Sequence, residues 1–151
     1  MSPYSRLDDE EAESPPMGEP NAFLEEALFK ARTILLTGGI DFKQAKRVCE
    51  RLLALSSANP KEPILLVISS PGGHVESGDM IHDMIKFVTA PVKVLGTGWV
   101  ASAGALIYSA AKKENRFALK NTRFLLHEPR GGVGGQATDV EIQAREIIKM
   151  R

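Results

Sequence analysis

The sequence predicts an α/β fold in which a mostly parallel sheet is covered by layers of helices, and three observations carry that expectation. Short apolar runs at residues 33–36, 64–68 and 92–95 have strand length and are rich in β-branched residues. Between them, apolar residues recur at helical spacing: first Ala45, Val48, Leu52 and Leu55, then Val75, Met80, Ile81, Met84, Ile85 and Val88. Strands that alternate with helices imply right-handed crossovers and parallel neighbours. In such sheets, chemistry collects at the carboxyl ends of the strands.

Residues 1–21 combine Asp8-Asp9-Glu10-Glu11 with Ser14-Pro15-Pro16 and Gly18-Glu19-Pro20, a composition that buries too little apolar surface to offset its ordering entropy. A disordered acidic, proline-rich arm is expected there, and a head domain over 22–130. Phe23, Leu24, Ala27 and Leu28 predict a short amphipathic helix, and the first strand runs into Thr37-Gly38-Gly39. Asp41 is placed to cap the next helix, which ends near Ser57-Ala58-Asn59-Pro60. The strand at 64–68 leads into Ser70-Pro71-Gly72-Gly73, and the following helix stops before Pro91. After the strand at 92–95, Gly98-Trp99-Val100-Ala101-Ser102-Ala103-Gly104-Ala105 opens a helix of small residues. A further apolar run, Phe124-Leu125-Leu126, ends on His127-Glu128-Pro129. Residues 131–135 are too glycine-rich for a core strand. Thr138-Asp139-Val140-Glu141 then has a capping pattern that opens a charged helix suited to project toward a partner.

A chain of 151 residues, 43% hydrophobic, is expected to build one core. Lys plus Arg equals Asp plus Glu, at 19 each, so no global field favours nucleic acid or an acidic membrane surface. Cys49, the single cysteine, sits among apolar positions and reads as a buried thiol. The acidic N-terminus does not resemble a secretory or transit signal, and cytoplasm is the expected compartment. No segment approaches the roughly 20 apolar residues that span a bilayer.

Three strand ends thus offer a nucleophile, a base and backbone donors. Ser102 stands where a strand delivers a hydroxyl to a helix N-terminus, whose free N–H groups and positive dipole end favour a developing oxyanion. A serine that merely starts a helix among small residues is the ordinary alternative. His127 taken alone is more often structural, and its pairing with Ser102 makes it a general-base candidate. Val100 rules out the G-x-S-x-G elbow. His82 reads as solvated and His74 as a possible cleft residue. The histidines lack partners at metal-ligand spacing, so no metal site is expected. Neither glycine cluster is followed by Gly-Lys-Ser/Thr, which argues against nucleotide binding.

The motifs Ser69-Ser70-Pro71-Gly72-Gly73, Ala101-Ser102-Ala103-Gly104-Ala105, Leu126-His127-Glu128-Pro129 and 135–142 (Gly-Gln-Ala-Thr-Asp-Val-Glu-Ile) occur in the order found in the Clp protease proteolytic subunits, which the chain resembles from Thr33 onward. The resemblance implies a crotonase-like α/β head and, over 131–151, part of a handle that joins two stacked heptameric rings. It implies an ATP-dependent serine endopeptidase with Ser102 as nucleophile, His127 as general base, and the backbone N–H groups of Gly73 and Ala103 as the oxyanion hole. It further implies peptide or unfolded protein substrates, an AAA+ unfoldase partner, and no cofactor beyond the ATP that such a partner uses.

There are departures from the family pattern. Its triad aspartate lies beyond the handle helix, so a truncated and impaired product is expected. The N-terminal arm is acidic instead of apolar, and Leu65 and Val67 stand where many members have tyrosines. The competing expectations are a catalytically idle ring subunit and a crotonase-fold acyl-CoA enzyme. The second would need pocket glutamates and no serine–histidine pair.

Overall fold

The computed structural model describes residues 21–126 together with 144, 145 and 148. Residues 1–20 of the arm expected over 1–21, His127 and nearly all of the handle segment lie outside the described residues; Asn21, the last residue of the expected arm, instead caps the first helix.

The first helix, α1 (Ala22–Lys30), starts at Asn21, whose side chain accepts a hydrogen bond from the Phe23 N–H, and it buries none of its residues. It is followed by β1 (Thr33–Thr37), α2 (Phe42–Ala58), β2 (Ile64–Ser70), α3 (Val75–Phe87), β3 (Val92–Ala101) and α4 (Ala103–Ala110). A single 3-10 turn at Lys113–Asn115 leads into β4 (Arg116–Ala118), and β5 (Arg123–Leu125) follows. The Asp41 carboxylate caps α2 as expected, accepting from the Gln44 N–H at 2.7 Å.

The sheet runs β1-β2-β3-β4, and β5 also pairs with β3. Every pairing is parallel, in keeping with the alternation of strands and helices. β3 is longer than its apolar run. Its first half pairs with β4 through Val94, Leu95 and Gly96, and its second half pairs with β5 through Trp99, Val100 and Ala101. This extension through Gly96 and Gly98 carries the chain from the core to Ser102.

Ile34, Leu36, Ile64, Leu66, Ile68 and Val94 are almost completely buried beneath Val48, Leu52 and Leu55 of α2, Ile81 of α3 and Ile107 of α4. Burial of a side chain of this size contributes about 1.5–3 kcal/mol. The sheet register places Leu35, Val67, Leu95 and Phe117 in one row. Leu35 and Phe117 in this row are exposed and Val67 and Leu95 half-buried, so the two faces of the sheet are covered unequally.

Arg32 ties the frame together. It adopts φ 50 and is nearly buried, and its guanidinium donates to the carbonyls of Leu55, Asn59, Glu62 and Pro63 at 2.8–3.2 Å. These acceptors are the C-terminal end of α2 and the loop into β2. Cys49 is buried on α2 as expected, and burial, with the neighbouring Glu50 charge, pushes its thiol up to about 11. Among the described residues, no helix is long and apolar enough to cross a membrane.

Candidate active site

The carboxyl end of β3 breaks sharply into α4 at Ser102. This residue has φ 54 and ψ −123, a conformation rare for a side chain other than glycine. Holding it there costs about 1–3 kcal/mol, which the surroundings must offset. They do so with three backbone hydrogen bonds: the Ser102 N–H donates to the Leu125 carbonyl at 2.9 Å, and the Ser102 carbonyl accepts from Ala105 and Leu106 at 2.9 and 3.1 Å. The strand-to-helix break resembles a nucleophile elbow in form, although the G-x-S-x-G sequence is absent.

The glycine pair packs directly against this turn. A Cβ added to Gly72, which has φ +99, would sit 2.7 Å from Ser102 Cβ and 3.2 Å from the Ala103 nitrogen. Gly73 pairs in parallel with Ile40: the Ile40 N–H donates to the Gly72 carbonyl at 2.9 Å, and the His74 N–H donates to the Ile40 carbonyl at 2.8 Å. In that pattern the Gly73 N–H turns away from Ile40. Its φ of +153, and the Ile40 oxygen only 2.2 Å from where a Cβ would stand, leave room for nothing larger than glycine. The loop is braced from behind by Ser70, whose hydroxyl donates to the Gly38 carbonyl at 2.6 Å and accepts from the Gly72 N–H at 3.0 Å. Ala103 is the first residue of α4, so its N–H has no intrahelical acceptor. Ser102, Ala103 and the glycine pair therefore converge. His127 lies outside the described residues, and Leu126, its neighbour in sequence, lines the same cleft as Ser102.

That cleft, of about 720 Å³, is walled by Val75 and Asp79 of α3, Ala105, Leu106 and Tyr108 of α4, and Phe124 and Leu126 at β5. The Tyr108 and Phe124 rings pack at 4.9 Å between centroids, tilted by 57°. Gly78 of α3 lies so close to α4 that its added Cβ would meet Ala103 Cβ at 3.0 Å, which brings the α3 side of the cleft up to the serine turn.

His74, read as a cleft candidate, instead pairs with the first turn of α3, with Nδ1 2.8 Å from Ser77 Oγ and Nε2 3.0 Å from Glu76 Oε2. His82 is partly buried and pairs with Asp83 at 3.1 Å. Sequence reasoning missed Asp79 and Tyr108, which reach the site only through the packing of α3 on α4. It undervalued Gly72, whose signal was its place beside Gly73. Among the described residues, no three His, Cys, Asp or Glu side chains group as metal ligands.

This architecture is shared. The description Clp protease matches residues 18–151. ATP-dependent Clp protease proteolytic subunit 2 of Gluconobacter oxydans is 57% identical over 151 residues, covering 99% of this chain and 66% of that protein. Subunit 3 of Rhizobium meliloti is 57% identical over 148 residues, covering 96% of this chain and 74% of the relative. The chain thus spans roughly two thirds to three quarters of the length of these relatives. A solved structure of a ClpP1 point mutant from Listeria monocytogenes superposes with a TM-score of 0.75 at 52% identity, over 84% of this chain and 70% of that one. With a match from residue 18 onward and relatives of this identity, the chain belongs to the Clp protease family.

Proposed function

We propose that the protein is a serine endopeptidase subunit that cleaves peptides and unfolded proteins through an acyl-enzyme on Ser102. The observation that carries this reading is the strained Ser102 turn, set at a 720 Å³ cleft and pressed against Gly72 and the first N–H of α4. Strain of this kind is kept where it places a reacting atom.

In the proposed reaction Ser102 Oγ attacks the scissile carbonyl carbon while its proton passes to His127. The carbonyl oxygen becomes an oxyanion that accepts hydrogen bonds from the N–H groups of Gly73 and Ala103. Each such donor is worth about 10²–10³ in turnover. The C–N bond then breaks, and the leaving amine takes the proton from His127. Water attacks the acyl-enzyme by the reverse proton route and frees Ser102. These steps draw on a hydroxyl, an imidazole, backbone donors and one water.

The relatives' names describe an ATP-dependent protease, and the corresponding proposal here is a cytoplasmic assembly of two stacked heptameric rings fed by an ATP-driven unfoldase. The exposed Phe23, Leu24 and Phe29 of α1 support association with other subunits. A fluorophosphonate probe tests the chemistry. The chain should be labelled on Ser102, and Ser102→Ala should lose both the label and whatever small-peptide hydrolysis the chain supports. An unlabelled Ser102 would mark an idle ring subunit.

A further inference from the structure

We propose that a second cavity, at the far ends of α3 and α4 from Ser102, binds a small organic acid: a carboxylate joined to an apolar body about the size of a benzene ring. The inference stands independently of the reading of Ser102.

α3 and α4 each run from one cavity to another. Val75 and Asp79 of α3 wall the cleft beside Ser102, whereas Ile85 and Lys86, near the other end of the same helix, line a separate cavity of about 370 Å³. The helix rises about 16 Å between Val75 and Lys86. α4 is divided in the same way. Leu106 and Tyr108 line the cleft, while Ala110 and the capping residue Ala111 line the second cavity. Its volume lies in the lower part of the range of small-molecule sites, about 300–1,000 Å³.

The cavity has an apolar floor and a cationic rim. Ile85, Ala90, Val92 and Ala111 are buried and form the floor. The polar lining residues are Lys86 in the last turn of α3, Thr89 in the turn toward β3, and Lys112 and Asn115 at the two ends of the 3-10 turn. Among the described residues, none of these four side chains has an ion-pair or hydrogen-bond partner. No acid lines the cavity. Asp83, on the same helix, meets His82 at 3.1 Å, and Glu114 lies outside the lining. Lysines near helix C-termini also complement the helix dipole. That accounts for a charge at each helix end, but not for two cations, a hydroxyl and an amide around one apolar hollow.

Two ammonium groups on one rim repel each other, and an anion between them is attracted to both. A carboxylate accepts charge-assisted hydrogen bonds from Lys86 and Lys112 and further ones from the Asn115 amide and the Thr89 hydroxyl. A bare inorganic anion leaves the apolar floor unused, and a neutral apolar molecule leaves the rim cations unpaired. An acid with an apolar body uses both.

The test titrates the chain with para-fluorophenylacetate, read by fluorine NMR, beside its neutral counterpart para-fluorophenylacetamide. The acid should bind saturably with a Kd of about 1 mM or tighter, as its size allows, and the amide at least about 5-fold more weakly. Acetate has the charge without the body and should compete poorly. Lys86→Gln and Lys112→Gln should each weaken the acid by about 2–5-fold, and the double variant by about the product of the two. Both lysines are exposed, so these changes leave the core intact. Lys43→Gln, an exposed lysine on α2 outside the cavity, should leave binding as it was. Each of five results would overturn the inference: no saturable binding of the acid, equal affinity for acid and amide, equal competition by acetate, full binding in the double variant, or a loss in Lys43→Gln as large as in Lys86→Gln.

Discussion

Gly72 and Ser102 set the geometry of the site between them, because each occupies a conformation that the other's backbone permits. A methyl group on Gly72 would be at 2.7 Å from Ser102 Cβ and would also have to adopt φ +99. The loop or the serine turn must then move, and displacement of a nucleophile by about 1 Å costs on the order of 10²-fold in rate. Gly72→Ala should therefore lower kcat/KM for a small peptide by at least about 100-fold. Gly38→Ala is the comparison: its φ is +80, yet nothing lies within 4 Å of the added Cβ. It should lose about 1 kcal/mol of stability from backbone strain alone and keep its hydrolysis. Equal losses of activity in the two variants would show that strain, not contact with Ser102, makes Gly72 necessary. The position of Ser102 at a strand-to-helix junction was legible in the sequence, since an apolar run precedes it and small residues follow. Its positive φ was not, because serine carries no local preference for that region and tertiary contacts impose it. Asp79 was likewise hidden, because only the close approach of Gly78 to Ala103 brings α3 up to the serine turn.

Elements were legible in proportion to their burial. α2 and α3 announced themselves through apolar spacing, and β1 and β2 through short β-branched runs, because each buries one face. β3 runs six residues beyond its apolar start at 92–95, through Gly96, Thr97, Gly98 and Trp99, which break the pattern in the sequence although backbone pairing continues. β4 has three exposed residues and no periodicity to read. The join between α2 and β2 depends on Arg32, which no pattern indicated. Its guanidinium satisfies four carbonyls where helix, loop and strand meet. Arg32→Met keeps much of the stem but takes the guanidinium from these carbonyls, of which only Leu55 keeps a second donor, the Asn59 N–H, and it should lower unfolding free energy in a denaturant titration by about 2–4 kcal/mol. The exposed Lys30–Glu26 pair on α1 is the contrast, and Lys30→Ala should change stability by no more than about 0.5 kcal/mol. A small loss in Arg32→Met would mean that water replaces the guanidinium at those carbonyls.

Across the whole molecule, stability is distributed unevenly, and the candidate site lies on the boundary. β2 is central, paired with β1 on one side and β3 on the other, and its alternate residues from Ile64 to Ser70 are buried. β5 has three exposed residues and joins the sheet through three pairings with β3, while α1 buries none of its side chains. Opening free energies follow buried contacts and protected backbone, so amide exchange should be slowest in β2 and the first half of β3, and fastest in α1 and β5. The gradient bears on the chemistry because β5 supplies Phe124 as a cleft wall and the Leu125 carbonyl that holds the Ser102 N–H. A covalent phosphonate on Ser102 that fills the cleft makes contacts with Phe124 in the closed arrangement that opening would break, so it should slow opening of β5. Exchange at Phe124 and Leu125 should then slow markedly while exchange in β2 stays as it was. If the phosphonate protected β2 and β5 equally, the sheet would open as a single unit and β5 could not move separately to admit or release a substrate.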